Sequence, residues 1–258
     1  MSDHVRVSLE DGILRILLAR PEKKNALTNA MYAALGAALD RAESDPGVRV
    51  VLFEAEGAAF TAGNDIGDFA AVAAGTAPRS EMKVHTFLGA LARARKPYVA
   101  AVQGLAVGIG VTMLMHCDLV YVAEDAKLTT PFVNLALVPE AASSWLIPLR
   151  VGHARAFAMF ALGEPVDGRT AAQLGIANSA LPASEVRAKA LAAARTLAAK
   201  PSGALQATKA LMRESERIAT IIARETEIFS ARLQTAEAAE AFRAFAERRP
   251  PDFTKISG

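Results

Sequence analysis

Two short stretches carry residue types that could stabilise a developing negative charge: "TAGND", Thr61 to Asp65, and "AVGIG", Ala106 to Gly110. Each follows an apolar, strand-like run, leads toward a helical one and is built of small residues that let a backbone approach a ligand closely. Main-chain N–H groups freed at such turns point outward, and a helix N-terminus adds positive potential, so the pair reads as a holder of an oxyanion. One such turn is explained by a tight bend; two in matching contexts call for a functional reason. Other chemistries find less support. After "GIG", Gly108 to Gly110, the third glycine of a dinucleotide fingerprint is replaced by Met113. Ser143 and Ser144 lie in no G-x-S-x-G elbow and read as helix-capping residues. His4, His85, His116 and His153 lack metal-ligand spacing, so no metal is expected. Cys117, the one cysteine, reads as a buried core thiol and suits a reducing compartment.

The loops must be positioned by regular elements, and the periodicity names them. "VRVSLEDGILRILLARP" is a hairpin about Asp11-Gly12, and Thr28 caps a helix to about Glu43 with Met31, Leu35 and Leu39 on one face. "VRVVLFEA" is a buried strand before the first loop. The pattern then recurs as a helix around Ser80 to Arg95, the strand "PYVAAVQG", the loop "LAVGIG", the helix "VTMLMH" and the strand "DLVYVAE". Such alternation is an α/β class. From about Ala141 the strand signal nearly vanishes and Ala-rich helices follow, with a change of organisation near residue 200: an α/β core over 1–200 and a helical region over 201–258. Pro97 to Cys117 has no charge and the length of a membrane span, but its glycines and strand-like start favour a buried strand, loop and helix.

The 258 residues are 52% hydrophobic, ample for a large core, and Lys+Arg 29 against Asp+Glu 27 leaves a formal charge of +2. That balance argues against a nucleic-acid partner. Arg93, Arg95, Lys96 and the pair Arg248, Arg249 read as solvated helix ends. The N-terminus lacks the basic and apolar regions of a signal peptide, so a cytoplasmic protein is expected.

"RPEKKNALT", "AFTAGNDIGDF", "KPYVAAVQGLAVGIGVTMLMHCDLVYVAEDAKLTTPF" and "LALVPEAASSWLIPLRVG", in this order, resemble the crotonase superfamily of enoyl-CoA hydratases and isomerases. The resemblance runs from about Val5 to Phe253. It implies a crotonase-like (ClpP/crotonase) spiral of ββα units, a helical C-terminal region that trimerises, an acyl-CoA thioester substrate, and no cofactor beyond the coenzyme A of the substrate itself. Matched by motif, the two main-chain donors to the thioester oxygen belong to Asn64 and Ile109, with Gly108 beside the latter. Lys24, Ala26, Ala62, Gly63, Asp65 and Ile66 would flank the CoA. The side chains of Asp65, Asp68 and Asp118 read as structural.

Polarising that carbonyl acidifies C2 and stabilises an enolate, the shared first step of many acyl-CoA reactions. The family's hydratases add two glutamates, and their places hold Thr112 and Phe132 here. A different acid, Glu140, stands where those hydratases carry glycine, and the "TPF…NL…PE" pattern resembles the Δ3,Δ2-enoyl-CoA isomerases of the peroxisomal type and bacterial relatives. Moving a double bond needs one group to take a proton and return it, so one carboxylate suffices. Phe132, Leu137 and Trp145 are the expected apolar walls around Glu140, and Thr112 could hold a water. Enoyl-CoA hydration and a non-catalytic acyl-CoA-binding role are the alternatives. The expected assembly is a homotrimer or a dimer of trimers.

Overall fold

The computed structural model describes residues 2–65, 67–68 and 82–256. Ile66, and the first residues of the helix expected from Ser80, lie outside the described residues. The chain begins with the hairpin β1 (Val5–Glu10) and β2 (Ile13–Leu18). Asp11 and Gly12 both take positive φ, 52° and 76°, which matches the twist of a tight two-residue hairpin turn. Thr28 caps α1 (Asn29–Ser44), its side chain accepting from Met31 N at 3.3 Å, and Met31, Leu35 and Leu39 are buried.

After α1 the chain alternates between two sheets. Strands β3 (Val50–Ala55), β4 (Tyr98–Val102), β6 (Leu119–Ala123) and β9 (Ser179–Leu181) extend the hairpin into a six-stranded sheet of order β1-β2-β3-β4-β6-β9, parallel from β2 onward. Strands β5 (Leu105–Val107), β7 (Lys127–Thr129) and β8 (Val166–Asp167) form a second sheet of three. Every residue of β3 and β4 is buried, as expected of parallel strands covered on both faces. Helices follow each pair: α2 (Val84–Ala92), α3 (Ile109–Thr112), α4 (Ser143–Val151), α5 (His153–Phe157), α6 (Gly168–Gln173) and α7 (Ala183–Ala198). Strand of the large sheet, strand of the small sheet, then helix is the repeat, and the chain winds as a spiral of ββα units.

The spiral is what brings the two loops together. Thr61 forms an isolated parallel bridge to Ala106, so "TAGND" and "AVGIG" occupy equivalent places in consecutive turns. α8 (Ser202–Met212), α9 (Ser215–Arg232) and α10 (Ala236–Ala246) complete the chain. α9 packs on α2, and Leu233, Ala238, Ala241 and Phe242 form a small cluster with Ala136 and Leu137.

Three expectations are corrected. Leu105–Val107, read as loop, are β5, because their partner β7 supplies the ladder that three residues cannot announce alone. The strand signal nearly vanishes after Ala141 as expected, and only the two-residue β8 and three-residue β9 add edges to the sheets there. Lys96 is no solvated helix end: it is 7% exposed and its Nζ donates to Asp45 O at 2.7 Å. Arg249 likewise binds the buried Glu240 at 2.6 Å, whereas Arg93 and Arg95 are exposed. Among the described residues no helix is long and apolar enough to cross a membrane; Pro97 to Cys117 folds as β4, β5, α3 and a short 3-10 turn.

Candidate active site

Glycines fit the two loops against each other. Gly63 takes φ 88°, and a Cβ there would stand 2.9 Å from Val107 O. A Cβ on Gly110 would meet Thr61 Cγ2 at 2.5 Å. Gly108 takes φ 55° and ψ −115°, a conformation that side chains disfavour.

Hydrogen-bond bookkeeping then leaves one amide free in the first loop and two at the start of the second loop's helix. In the first loop Gly63 N donates to Thr61 Oγ1 and Asp65 N to Leu27 O, and in the second Gly108 N donates to Thr129 O and Val111 N to Gly108 O. Among the described residues Asn64 N in the first loop, and Ile109 N and Gly110 N at the start of α3, find no acceptor. A main-chain donor without an acceptor is uncommon away from water, and Asn64 and Gly108, the residue before Ile109, line a cleft. The cleft, of about 350 Å³, is lined by Gly63, Asn64, Gly108, Phe132, Leu137 and Phe242, among others.

A second, smaller cavity of about 30 Å³ shares Asn64 and Phe229 with the cleft and is lined by Glu140. Glu140 is 7% exposed; its Oε1 accepts from Thr112 Oγ1 at 2.6 Å, and its Oε2 has no partner among the described residues. Desolvation, with a smaller repulsion from Glu225, raises its pKa to about 8, against the opposing hydrogen bond from Thr112. Such a group can take and release a proton near neutrality.

The remaining expected residues divide. Phe132 and Leu137 line the cleft. Trp145 does not: it lies under the Arg217 guanidinium at 4.4 Å and faces a separate cavity beside Met115 and Arg213. Thr112 is fully buried and its hydroxyl is committed to Glu140, so it is neither a substrate contact nor a free holder of water. Asp65 is tied to Arg20 at 2.7 Å and Asp68 accepts from Asn29 N at 2.8 Å; Asp118 accepts from Tyr98 N and Lys209. All three side chains are structural. Lys24 and Ala26 line neither cavity but run beside the first loop, Lys24 O accepting from Ala62 N. Ser143 and Ser144 do not cap α4; Glu225 of α9 accepts from Ala142 N at 2.6 Å and Ser144 N at 2.9 Å instead.

Two functional neighbours escaped the sequence reading. Tyr32, buried in α1, donates its hydroxyl to Asn64 Oδ1, fixing the residue that borders both cavities. Asn25, fully buried at φ 55°, ties the first motif to the loop by accepting from Arg20 N and donating to Glu56 O and Ala59 O. The positive φ of an asparagine two residues before an apolar bridge position was the available signal.

Known proteins share this fold. Residues 8–256 match the family model described as enoyl-CoA hydratase/isomerase. A protein of Rhodobacter capsulatus named "Probable enoyl-CoA hydratase" is 34% identical over 257 residues, covering 98% of this chain and 99% of that one. "Enoyl-CoA delta isomerase 2" of Rattus norvegicus is 32% identical over 96% of this chain and 65% of its own length. The crystal structure of an enoyl-CoA hydratase/isomerase from Pseudoalteromonas atlantica T6c superposes with a TM-score of 0.91 at 38% identity, covering 98% of this chain and 100% of that one.

Proposed function

The chain belongs to the enoyl-CoA hydratase/isomerase family of the crotonase superfamily, whose members act on acyl-CoA thioesters, and on that footing we propose that it shifts a double bond between C3 and C2 of an enoyl-CoA, with Glu140 as the one acid and base. The observation that carries this reading is the buried Glu140 carboxyl, which lines the small cavity beside the cleft with one oxygen unpartnered and a pKa raised to about 8.

In this reading the cleft takes the pantetheine arm and the thioester, and the small cavity takes the first acyl carbons. The N–H groups of Asn64 and Ile109 donate to the thioester oxygen, and removing one such donor typically costs about 10² to 10³ in rate. The ionised carboxylate removes a proton from C2, giving a dienolate whose charge rests on the thioester oxygen. The carboxylic acid so formed returns the proton to C4, and the conjugated 2-enoyl thioester leaves. Atoms balance with no water consumed, which is why one acid suffices. The C-terminal helices are read as part of a trimer; elution at monomer size in gel filtration would count against that.

The test is incubation of purified protein with a 3-enoyl-CoA, following absorbance of the conjugated product. No conversion by the wild type rejects the isomerase, and undiminished conversion by Glu140→Ala rejects the base. Hydration is the second reading, favoured by the name of the Rhodobacter capsulatus relative, and 3-hydroxyacyl-CoA formed from a 2-enoyl thioester would reveal it. Against it stands Thr112, whose hydroxyl is engaged by Glu140 rather than by a carboxylate pair that would activate water.

A further inference from the structure

Glu140 rides on a turn that its own residues disfavour. Ala141 and Ala142 both take left-handed backbone, φ 60° and 57°, and both are fully buried. For a residue with a Cβ this conformation crowds the following carbonyl, and two in succession persist only where surroundings over-determine them.

The groups that hold the turn come from elsewhere in the chain. His116 Nε2 lies 2.7 Å from Ala141 O, and its Nδ1 lies 2.9 Å from the Arg213 guanidinium. Arginine can only donate, so Nδ1 accepts and Nε2–H donates to the carbonyl. Glu225 takes the N–H of Ala142 and of Ser144, one on each carboxylate oxygen. Those two accepted bonds favour its ionised form against the burial that raises its pKa, and at 6% exposure water does not compete for it. Glu225 sits on α9, whose next residues Thr226, Phe229 and Ser230 line the small cavity that Glu140 also lines.

We infer that Glu225 is a positioning residue: its carboxylate clamps the Ala141–Ala142 turn so that Glu140 faces the cavity, and thereby ties the aim of the acid/base to the docking of the helix that walls the acyl side. This rests on the reading of Glu140 as the acid/base. Electrostatics act in the same direction, because Glu225 is a like charge that helps to keep Glu140 protonated. The other polar groups around Glu140 are Thr112 of α3, Tyr32 of α1, His85 of α2, Asn64 of the first loop, and Thr226 and Ser230 of α9.

The experiment compares wild type, Glu225→Gln and Glu225→Asp in the full chain. Three readouts are taken: thermal unfolding, kcat and KM for a 3-enoyl-CoA, and the titration of Glu140 by its infrared carboxyl band, identified by difference against Glu140→Gln. Glutamine loses the charge and one acceptor, so kcat should fall about tenfold to a hundredfold, KM should stay within about threefold, and the Glu140 pKa should fall measurably below about 8 while burial keeps it above its ordinary range. Aspartate keeps the charge but not the reach, so the high pKa should survive while kcat falls. Earlier melting of Glu225→Gln with unchanged kcat and unchanged Glu140 titration would reduce Glu225 to a helix cap and overturn the proposal. If the glutamine variant does not fold, wild-type kcat in Glu225→Asp overturns it equally. Should the wild type leave 3-enoyl-CoA unconverted, the isomerase reading fails on its own, while the infrared titration still decides whether Glu225 governs Glu140.

Discussion

Replacing the proposed base should make the protein more stable, and by an amount that depends on pH. The unfolded chain releases the Glu140 proton near its ordinary value of 4.5, whereas the folded protein holds it to about 8. Between those values the native state binds more protons than the unfolded state, so this group's contribution to stability falls as pH rises through the window and is flat above it. At about 1.36 kcal/mol per pH unit, ionising Glu140 in place costs about 5 kcal/mol. Glu140→Gln keeps an acceptor for the Thr112 hydroxyl and cannot ionise. Like the protonated glutamate, it leaves one polar end without a partner, so the two proteins should match near pH 4.5. Above pH 8 the variant should be ahead by about 5 kcal/mol, or on the order of 10 °C in melting temperature for a chain of this size. Thermal unfolding followed by circular dichroism at pH 4.5, 6, 7 and 9 measures the gap. Glu225, also raised by burial, is common to both proteins and cancels in the difference. Melting curves that run parallel across this range would refute the reasoning, because they would mean that Glu140 ionises as readily folded as unfolded. The same substitution should abolish isomerisation, an exchange of activity for stability common at active sites.

Other consequences follow from the same geometry. Thr112→Val removes the hydroxyl that favours the ionised carboxylate; the rising limb of the kcat/KM profile should move about one pH unit alkaline, seen as roughly tenfold less activity at pH 7. Gly108→Ala meets no atom within 4 Å, so its cost is the backbone at φ 55° alone; relaxation there turns the Ile109 N–H, and kcat should fall about 10² to 10³-fold with the far-ultraviolet spectrum unchanged. Cys117, buried and pushed up to about 12, should not react with a thiol reagent at pH 8 until the protein unfolds, and rapid labelling of the native protein would contradict its burial.

Much of this architecture follows from local signals. The Asp11-Gly12 turn, the Thr28 cap and the apolar stripe of α1 are each decided within a few residues, where backbone sterics and periodicity act. The two glycine-bearing loops stand out for the same reason, since Gly63 and Gly108 need conformations that few other residues take. Burial and pairing are different, because they depend on atoms far along the chain. That Thr61 bridges Ala106, that Thr112 binds Glu140 across 28 positions, and that Glu225 rather than a neighbouring serine caps α4 across 81 are products of the spiral. So is the burial of Lys96, whose run of cations reads as a solvated end until Asp45 O appears beside it. Strands as short as β8 and β9 exist only because a neighbour completes their hydrogen bonds. Sequence alone determined which residues could bend, cap and carry charge; the fold decided which of them meet, because desolvation and hydrogen bonding act through space and set the proton affinity of Glu140 only once the walls have closed around it.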